Sequence, residues 1–216
     1  MFPKSFFVDW YKEHGRNFPW RQAGVSPFKL LVTEMLLRQT QASSVSKLWY
    51  GFTQKYPNAS LLAQANEDEL FNVLKILGLA KQRSSALSAA STWLVENCEG
   101  QVPDTKEELL KIPHVGLYVS NAVLCFAFGQ RVEIVDTNVL RFYARYYGLE
   151  IRPDIRRNAK VWDEAKSLLP DKGSQVQHHN YGLLDFTAEV CRSRFPQCNI
   201  CPLASSCSWA TRGIKP

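Results

Sequence analysis

Leu109-Leu110-Lys111-Ile112-Pro113-His114-Val115-Gly116-Leu117-Tyr118 is the stretch on which the reading of this chain turns. Apolar residues at helical spacing lead into Pro113, and a second run rich in small and apolar residues continues from Gly116 to Gly129. The pattern predicts a helix, a tight Pro-x-x-Gly hairpin and another helix. Such a hairpin turns backbone N–H groups outward at the start of its second helix, where a phosphate can be held without regard to base sequence. An ordinary αα-hairpin that binds nothing fits the same residues.

On both sides of this hairpin the periodicity stays helical. Ser26-Pro27 reads as an N-cap followed by proline at the first helical position, opening an apolar run to Leu37. Asn66 with Glu69, and Asp104 with Glu107, have capping-box spacing ahead of apolar repeats. Gly78 and Gly129 follow such repeats, as helix terminators do. The short run Val132-Glu133-Ile134-Val135 is the only strand candidate. No internal repeat or low-complexity linker interrupts the chain. The expected class is all-α, with about ten helices joined by short loops.

The chain has 216 residues, 45% of them hydrophobic, enough for one sizeable core or two lobes. Its first residues carry no long apolar segment with a small-residue cleavage site, so no secretory signal is expected. No stretch approaches the roughly 18 apolar residues of a membrane span. A reducing, soluble compartment is expected. Lys and Arg number 26 against 20 Asp and Glu, a net charge of +6. That excess is compatible with a polyanion partner and does not by itself choose one.

Three places could carry chemistry. Cys191-x6-Cys198-x2-Cys201-x5-Cys207 gathers thiols too closely for all to pair as unstrained disulfides, yet they can wrap one metal centre. A single x2 pair flanked by longer arms suits a [4Fe-4S] cluster; a structural zinc site is the alternative. A secreted disulfide framework would be shorter and denser in cysteine. On the Lys29–Gln41 segment, Leu30, Glu34 and Leu37 share a helix face with Leu31 and Met35 beside them. Burial there should raise the Glu34 pKa and make it a general acid; the alternative is a glutamate turned to solvent. Asp136 follows an apolar run and precedes a helical repeat, which marks it as an N-cap that could also aim its carboxylate into a cleft.

Glu34, the hairpin with Tyr118, Asp136 eighteen residues later and the cysteine loop occur in an order that resembles the helix-hairpin-helix DNA glycosylases of the endonuclease III and MutY superfamily. The resemblance runs from Asp9-Trp10-Tyr11 to Trp209. It implies a two-lobed fold: a six-helix barrel over residues 24–131, and a cluster domain combining residues 1–23 and 132–216. It also implies double-stranded DNA bound between the lobes by a monomer, with the target nucleotide flipped out. Asp136 would stabilise the oxocarbenium-like sugar as a fixed countercharge. Tyr118 stands where bifunctional lyases of the family place a lysine, and a phenol forms no Schiff base, so hydrolysis without β-lyase activity is expected. Glu34 and Asn138 match catalytic-pocket residues of MutY-type enzymes. Gln39 matches a side chain that enters the gap left by the flipped base. Trp20, in Phe18-Pro19-Trp20-Arg21, is a stacking wall or a core tryptophan. His114, Val115 and Gly116 form the hairpin that meets DNA, with His114 in place of a usual glycine, and the four cysteines hold the [4Fe-4S] cluster.

The resemblance is closest to the Mig-type mismatch glycosylases, on Val32–Arg38, Gly78–Arg83 including Gln82, Asn180–Phe186 and the small residue Ala42. Tyr181 departs from both the leucine of the thymine branch and the glutamine of the adenine branch. The chain runs nine residues past Cys207, so the 8-oxoguanine-reading domain of MutY-type proteins is expected to be missing. These features favour removal of thymine or uracil opposite guanine. The alternatives are an adenine glycosylase without its reader domain and a non-catalytic protein that binds mismatched DNA.

Overall fold

The computed structural model describes residues 2–149, 159–171 and 173–212. Among the described residues every regular element is helical. In chain order they are α1 (Phe6–His14), α2 (Pro27–Leu37), α3 (Ala42–Lys55), α4 (Ala59–Ala63), α5 (Glu67–Leu74), α6 (Ala80–Cys98), α7 (Lys106–Leu109), α8 (Leu117–Phe126), α9 (Thr137–Tyr147), α10 (Ala159–Ser167), α11 (Gly173–Glu189) and α12 (Ser208–Thr211). Short 3-10 turns occupy Pro19–Arg21, Lys75–Leu77 and Ala204–Ser206. Among the described residues no helix is long and apolar enough to cross a membrane. The chain divides into two compact units, Asn17–Phe128 and Met1–Arg16 with Gly129–Pro216.

The Asn17–Phe128 unit holds α2 to α8. Ser26 caps α2 by accepting the Lys29 N–H at 3.3 Å, with Pro27 at the first helical position. Buried Thr33 joins α2 to α3: its Oγ1 accepts the Trp49 indole N–H at 2.7 Å and donates to the Lys29 carbonyl at 2.6 Å. Asn66 caps α5 by accepting the Asp68 and Glu69 N–H groups at 3.0 and 3.1 Å. The expected cap at Asp104 lies one residue later. Thr105 is the N-cap of α7, and its hydroxyl donates to Glu108 at 3.0 Å. Both registers satisfy the same spacing rule, and from the later one α7 runs into Leu109, which is 0% exposed.

The second unit is built on aromatic rings. Phe7 meets Phe142 and Phe186 edge to face, both at 5.6 Å, and Trp10 meets Phe186 in the same way. α1 lies directly against α11 because residue 182 is glycine: a Cβ there would stand 2.1 Å from the Phe7 carbonyl oxygen. Asp185, fully buried on α11, accepts the Arg16 backbone N–H at 2.8 Å and its guanidinium at 2.6–2.7 Å, which fixes the end of α1.

Val132–Val135, the one strand candidate, is not a strand. Ile134 and Val135 are buried, at 1% and 5% exposed, and Val132 is half-buried. The Asn180 side chain takes the place of a neighbouring strand, accepting the Ile134 N–H at 3.3 Å and donating to the Val132 carbonyl at 3.0 Å. A primary amide carries both a donor and an acceptor, so it can answer a peptide group as another peptide would.

His179, one residue earlier on α11, is 1% exposed with its ring against Phe7 at 5.4 Å. Burial pushes its pKa down to about 4, opposed by a hydrogen bond to the backbone of Lys4. The unfolded chain therefore takes up this proton first as pH falls. The stabilisation is complete above about pH 6.5, is lost between there and about 4, and amounts to at most about 3 kcal/mol. Urea unfolding between pH 7 and 5 should show stability falling with pH, and His179→Phe should flatten that slope. An identical slope in the variant would assign the effect to other groups.

Candidate functional site

In the Asn17–Phe128 unit the glutamate of α2 is enclosed. Glu34 is 3% exposed among Leu30, Leu31 and Met35, all 5% exposed or less, so its side chain is not turned to solvent. α2 ends at Leu37, and Arg38, Gln39 and Thr40 lead into α3, on which Ala42 is the first residue and half-buried. Gln39 is exposed and left-handed, with φ of 54°. Leu79, the residue before α6, has φ of 50° and is 51% exposed. His114, in the hairpin, has φ of 64°. The position that glycine usually fills therefore does require left-handed backbone, and histidine adopts it at a cost on the order of 1 kcal/mol.

These three strained residues line one cavity of about 370 Å³ together with Arg38, Gln82 and Arg83. Strain concentrated in this way is a property of binding and catalytic sites. The Arg83 guanidinium, 7% exposed, crosses beneath them. It donates to the carbonyls of Gly78 and Leu36 at 2.9 Å, to that of Arg38 at 2.7 Å and to the Thr40 hydroxyl. Arg38 in turn donates to the His114 carbonyl at 3.2 Å.

The hairpin closes with the Val115 N–H on the Ile112 carbonyl at 3.1 Å. Val115 is buried, whereas Gly116 is exposed and opens α8 without any side-chain cap, which leaves the start of that helix available to an anion. Tyr118 is the second residue of α8 and half-buried. Trp20 is 3% exposed, its ring stacked on Phe18 at 4.7 Å and 5°, with the Arg21 guanidinium 5.2 Å over Phe18. In this structure Trp20 is part of the core, and Phe18 covers its face.

In the other unit Asp136 caps α9. Its Oδ1 accepts the backbone N–H groups of Asn138 and Val139 at 2.8 and 2.7 Å, and its Oδ2 accepts the Asn138 side-chain amide at 3.0 Å. The Asn138 amide oxygen accepts from Arg141 at 2.7 Å, and Arg141 also donates to the carbonyls of Cys191 and Thr187 at 2.8 and 3.0 Å. A continuous hydrogen-bonded path thus runs from the Asp136 carboxylate to the first cysteine of the C-terminal loop. Tyr181 lies on α11, 7% exposed and stacked on Tyr11 at 5.7 Å.

Cys191, Cys198, Cys201 and Cys207 line a single cavity walled by Phe142, Tyr146, Phe186, Leu203 and Trp209. None of the six cysteines forms a disulfide. Among the described residues no set of three or more His, Cys, Asp and Glu side chains converges tightly around one ion. Burial raises the Cys191 thiol pKa, opposed by Arg145, and pushes the Cys201 thiol up to about 11. Arg145 donates to the Cys191 sulfur at 3.7 Å and to the carbonyls of Arg192 and Ser193, and lies 4.9 Å over the Trp209 ring. Soft donors around a shared apolar cavity, with a cation against one sulfur, fit a group larger than a single ion and carrying negative charge.

Leu79, Arg83, Arg141 and Arg145 were not singled out by the sequence reading. One signal for Arg83 was present: Ala80, Arg83, Ser84, Leu87, Ala90, Ser91 and Leu94 are the buried stripe of α6, so a cation occupies an inward-facing position of the repeat. No local pattern marks the left-handed backbone of Leu79.

A family model described as HhH-GPD superfamily base excision DNA repair protein matches residues 32–165. The thymine/uracil-DNA glycosylase of Pyrobaculum aerophilum is 34% identical over 207 residues, 94% of this chain and 89% of that protein. The adenine DNA glycosylase of Mycobacterium tuberculosis is 35% identical over 209 residues, 96% of this chain and 67% of that protein. The solved structure of a thermostable thymine-DNA glycosylase superposes with a TM-score of 0.87 at 31% identity, covering 97% of this chain and 95% of that one.

The Asp136 geometry separates capping from charge. Asparagine caps as well as aspartate but cannot accept the Asn138 amide through a nitrogen, so Asp136→Asn should cost about 1 kcal/mol. Asp136→Ala, which removes the cap as well, should cost about 2 kcal/mol or more. Urea unfolding of both variants measures this, and equal losses would contradict the capping role.

Proposed function

The chain belongs to the HhH-GPD superfamily of base excision DNA repair proteins, and from that premise we propose that it is a DNA glycosylase hydrolysing the N-glycosidic bond of thymine or uracil mispaired with guanine. The observation that carries this reading is the end-to-end similarity to a thymine/uracil-DNA glycosylase, over 94% of this chain and 89% of the relative. Double-stranded DNA containing the mismatch is the proposed partner, and the anion-ready start of α8 supports backbone contact there.

In the proposed chemistry, positive charge develops at the sugar C1′ as the base leaves, and Asp136 supplies a fixed countercharge. The three hydrogen bonds to its carboxylate hold that charge in one orientation, so little reorganisation is needed during the reaction. Asn138 and, through it, Arg141 keep the carboxylate from rotating. Glu34, shielded from bulk water, positions the attacking water or passes a proton to the departing base. Tyr118 offers no amine, so no Schiff base forms; water adds to C1′ as the C1′–N bond breaks, the base departs and an abasic sugar stays in the strand. Gln39, Ala42, Gln82, His114 and Tyr181 are assigned to the base pocket and the DNA contact surface. The four cysteines would hold a [4Fe-4S] cluster, which when bound supplies iron–thiolate bonds that tie the Cys191–Cys207 loop together.

A second reading rests on the similarity to the adenine DNA glycosylase of Mycobacterium tuberculosis, which is of the same order. Duplexes carrying T:G, U:G, A:G and A:8-oxoguanine, treated with alkali after incubation, separate the two. Cleavage confined to the thymine and uracil strands is expected; cleavage confined to the adenine strands would transfer the assignment to the second reading. On the preferred duplex, Asp136→Asn should lower the single-turnover rate by a factor on the order of 10²–10³ while DNA binding persists. An unchanged rate would remove the countercharge role. Anaerobically purified protein should contain about four irons per chain, and stoichiometric zinc in their place would refute the cluster.

A further inference from the structure

Arg145, in the last turn of α9, carries a guanidinium with five N–H donors. Nη1 donates to the Cys191 sulfur at 3.7 Å and to the Arg192 carbonyl, and Nη2 donates to the Ser193 carbonyl at 3.0 Å. Nε is shut away from solvent and meets no acceptor among the described residues. The whole residue is 7% exposed, and the Trp209 ring lies over the guanidinium, 4.9 Å from its carbon. Among the described residues no carboxylate pairs with it. A buried donor without an acceptor and a buried cation without a counter-charge are both destabilising, and folds keep them where something else supplies the match. Arg145 lines the same cavity as Cys191, Cys198, Cys201 and Cys207. Its own carbonyl accepts the Cys207 thiol at 3.6 Å, so one residue touches the first and the last cysteine of the loop.

We propose that Arg145 is the internal counter-cation of the iron–sulfur cluster and sets its reduction potential. The inference rests on the reading of the four cysteines as holders of a [4Fe-4S] cluster. Each electron added to such a group makes it more negative. A fixed positive charge, and hydrogen bonds donated to its sulfurs, therefore stabilise the reduced form more than the oxidised one and raise the potential. The Nη1 bond to Cys191 supplies one such contact, and Nε is the free donor in the same cavity wall. Trp209 covers the guanidinium, so bulk water screens its charge little. The carbonyls of Arg192 and Ser193 hold the fork in one orientation, which an ammonium on a flexible stem would not keep. Arg145 ligates no metal and takes no part in base removal; it acts on the electron balance of the group that the cysteines would bind.

Voltammetry of the iron-loaded full chain, adsorbed on an electrode without DNA, tests this. Arg145→Gln keeps a planar polar group but removes the charge, and should shift the one-electron equilibrium about tenfold toward the oxidised form, a fall in midpoint potential of about 59 mV. Arg145→Lys keeps the charge and loses the fork, and should shift it in the same direction by roughly threefold. Iron content and thermal melting of each variant are measured alongside. A merely structural role would lower iron content or melting temperature while the protein that stays loaded keeps the wild-type potential, and that outcome overturns the proposal. So does a potential that rises in Arg145→Gln. If Arg145→Gln retains no iron, Arg145→Lys carries the comparison, and an unchanged potential there overturns the proposal equally. Wild-type protein that holds stoichiometric zinc and gives no redox wave refutes the cluster itself, which separates that failure from failure of the role given to Arg145.

Discussion

Backbone carbonyls left open at helix ends and in loops are answered by arginine side chains, and much of the structure depends on that exchange. A helical protein of short elements exposes four unpaired carbonyls at each C-terminus, and its connections add more. Arg83 closes on the carbonyls of Leu36, Arg38 and Gly78; Arg131 on those of Leu169 and Pro170; Arg141 on those of Thr187 and Cys191; Arg145 on those of Arg192 and Ser193. Desolvating a guanidinium is costly, and several charge-assisted bonds per group offset it. The segments so held include the α2–α3 connection with Gln39, the turn before α6, the end of α10 and the start of the cysteine loop.

Asp136 shows how one side chain serves folding and chemistry together. As an N-cap it satisfies two orphan N–H groups of α9, and as the end of the Asn138–Arg141 path it is oriented by the same contacts that hold Cys191. A group placed in the cysteine cavity would act on the loop whose carbonyls Arg141 grips. A path of hydrogen-bonded atoms therefore links the start of the loop to the carboxylate.

The helical class, the caps at Ser26 and Asn66 and the left-handed glycines at 78 and 129 were legible from spacing, because each depends on interactions within a few residues. The cap at Thr105 was missed by one position, since two overlapping motifs obey the same local rule and spacing alone does not choose between them. Val132–Val135 stood only as a strand candidate, a short run holding three β-branched residues. Its actual partner is the side chain of Asn180, 46 residues away along the chain from Ile134 and invisible to any local pattern.

By itself the sequence determined what is local or compositional: helical periodicity, the hairpin turn, four thiols close enough to share one group, and a carboxylate at the start of a helix. It also carried the family, because those features recur in a fixed order along the chain. Only the tertiary structure decided that Glu34 is enclosed, that Trp20 is covered by Phe18, and that Gln39, Leu79 and His114 are strained around one cavity above a buried guanidinium. Burial and backbone strain are set by what packs against a residue from distant parts of the chain. Two sequences with the same local spacing can differ in both.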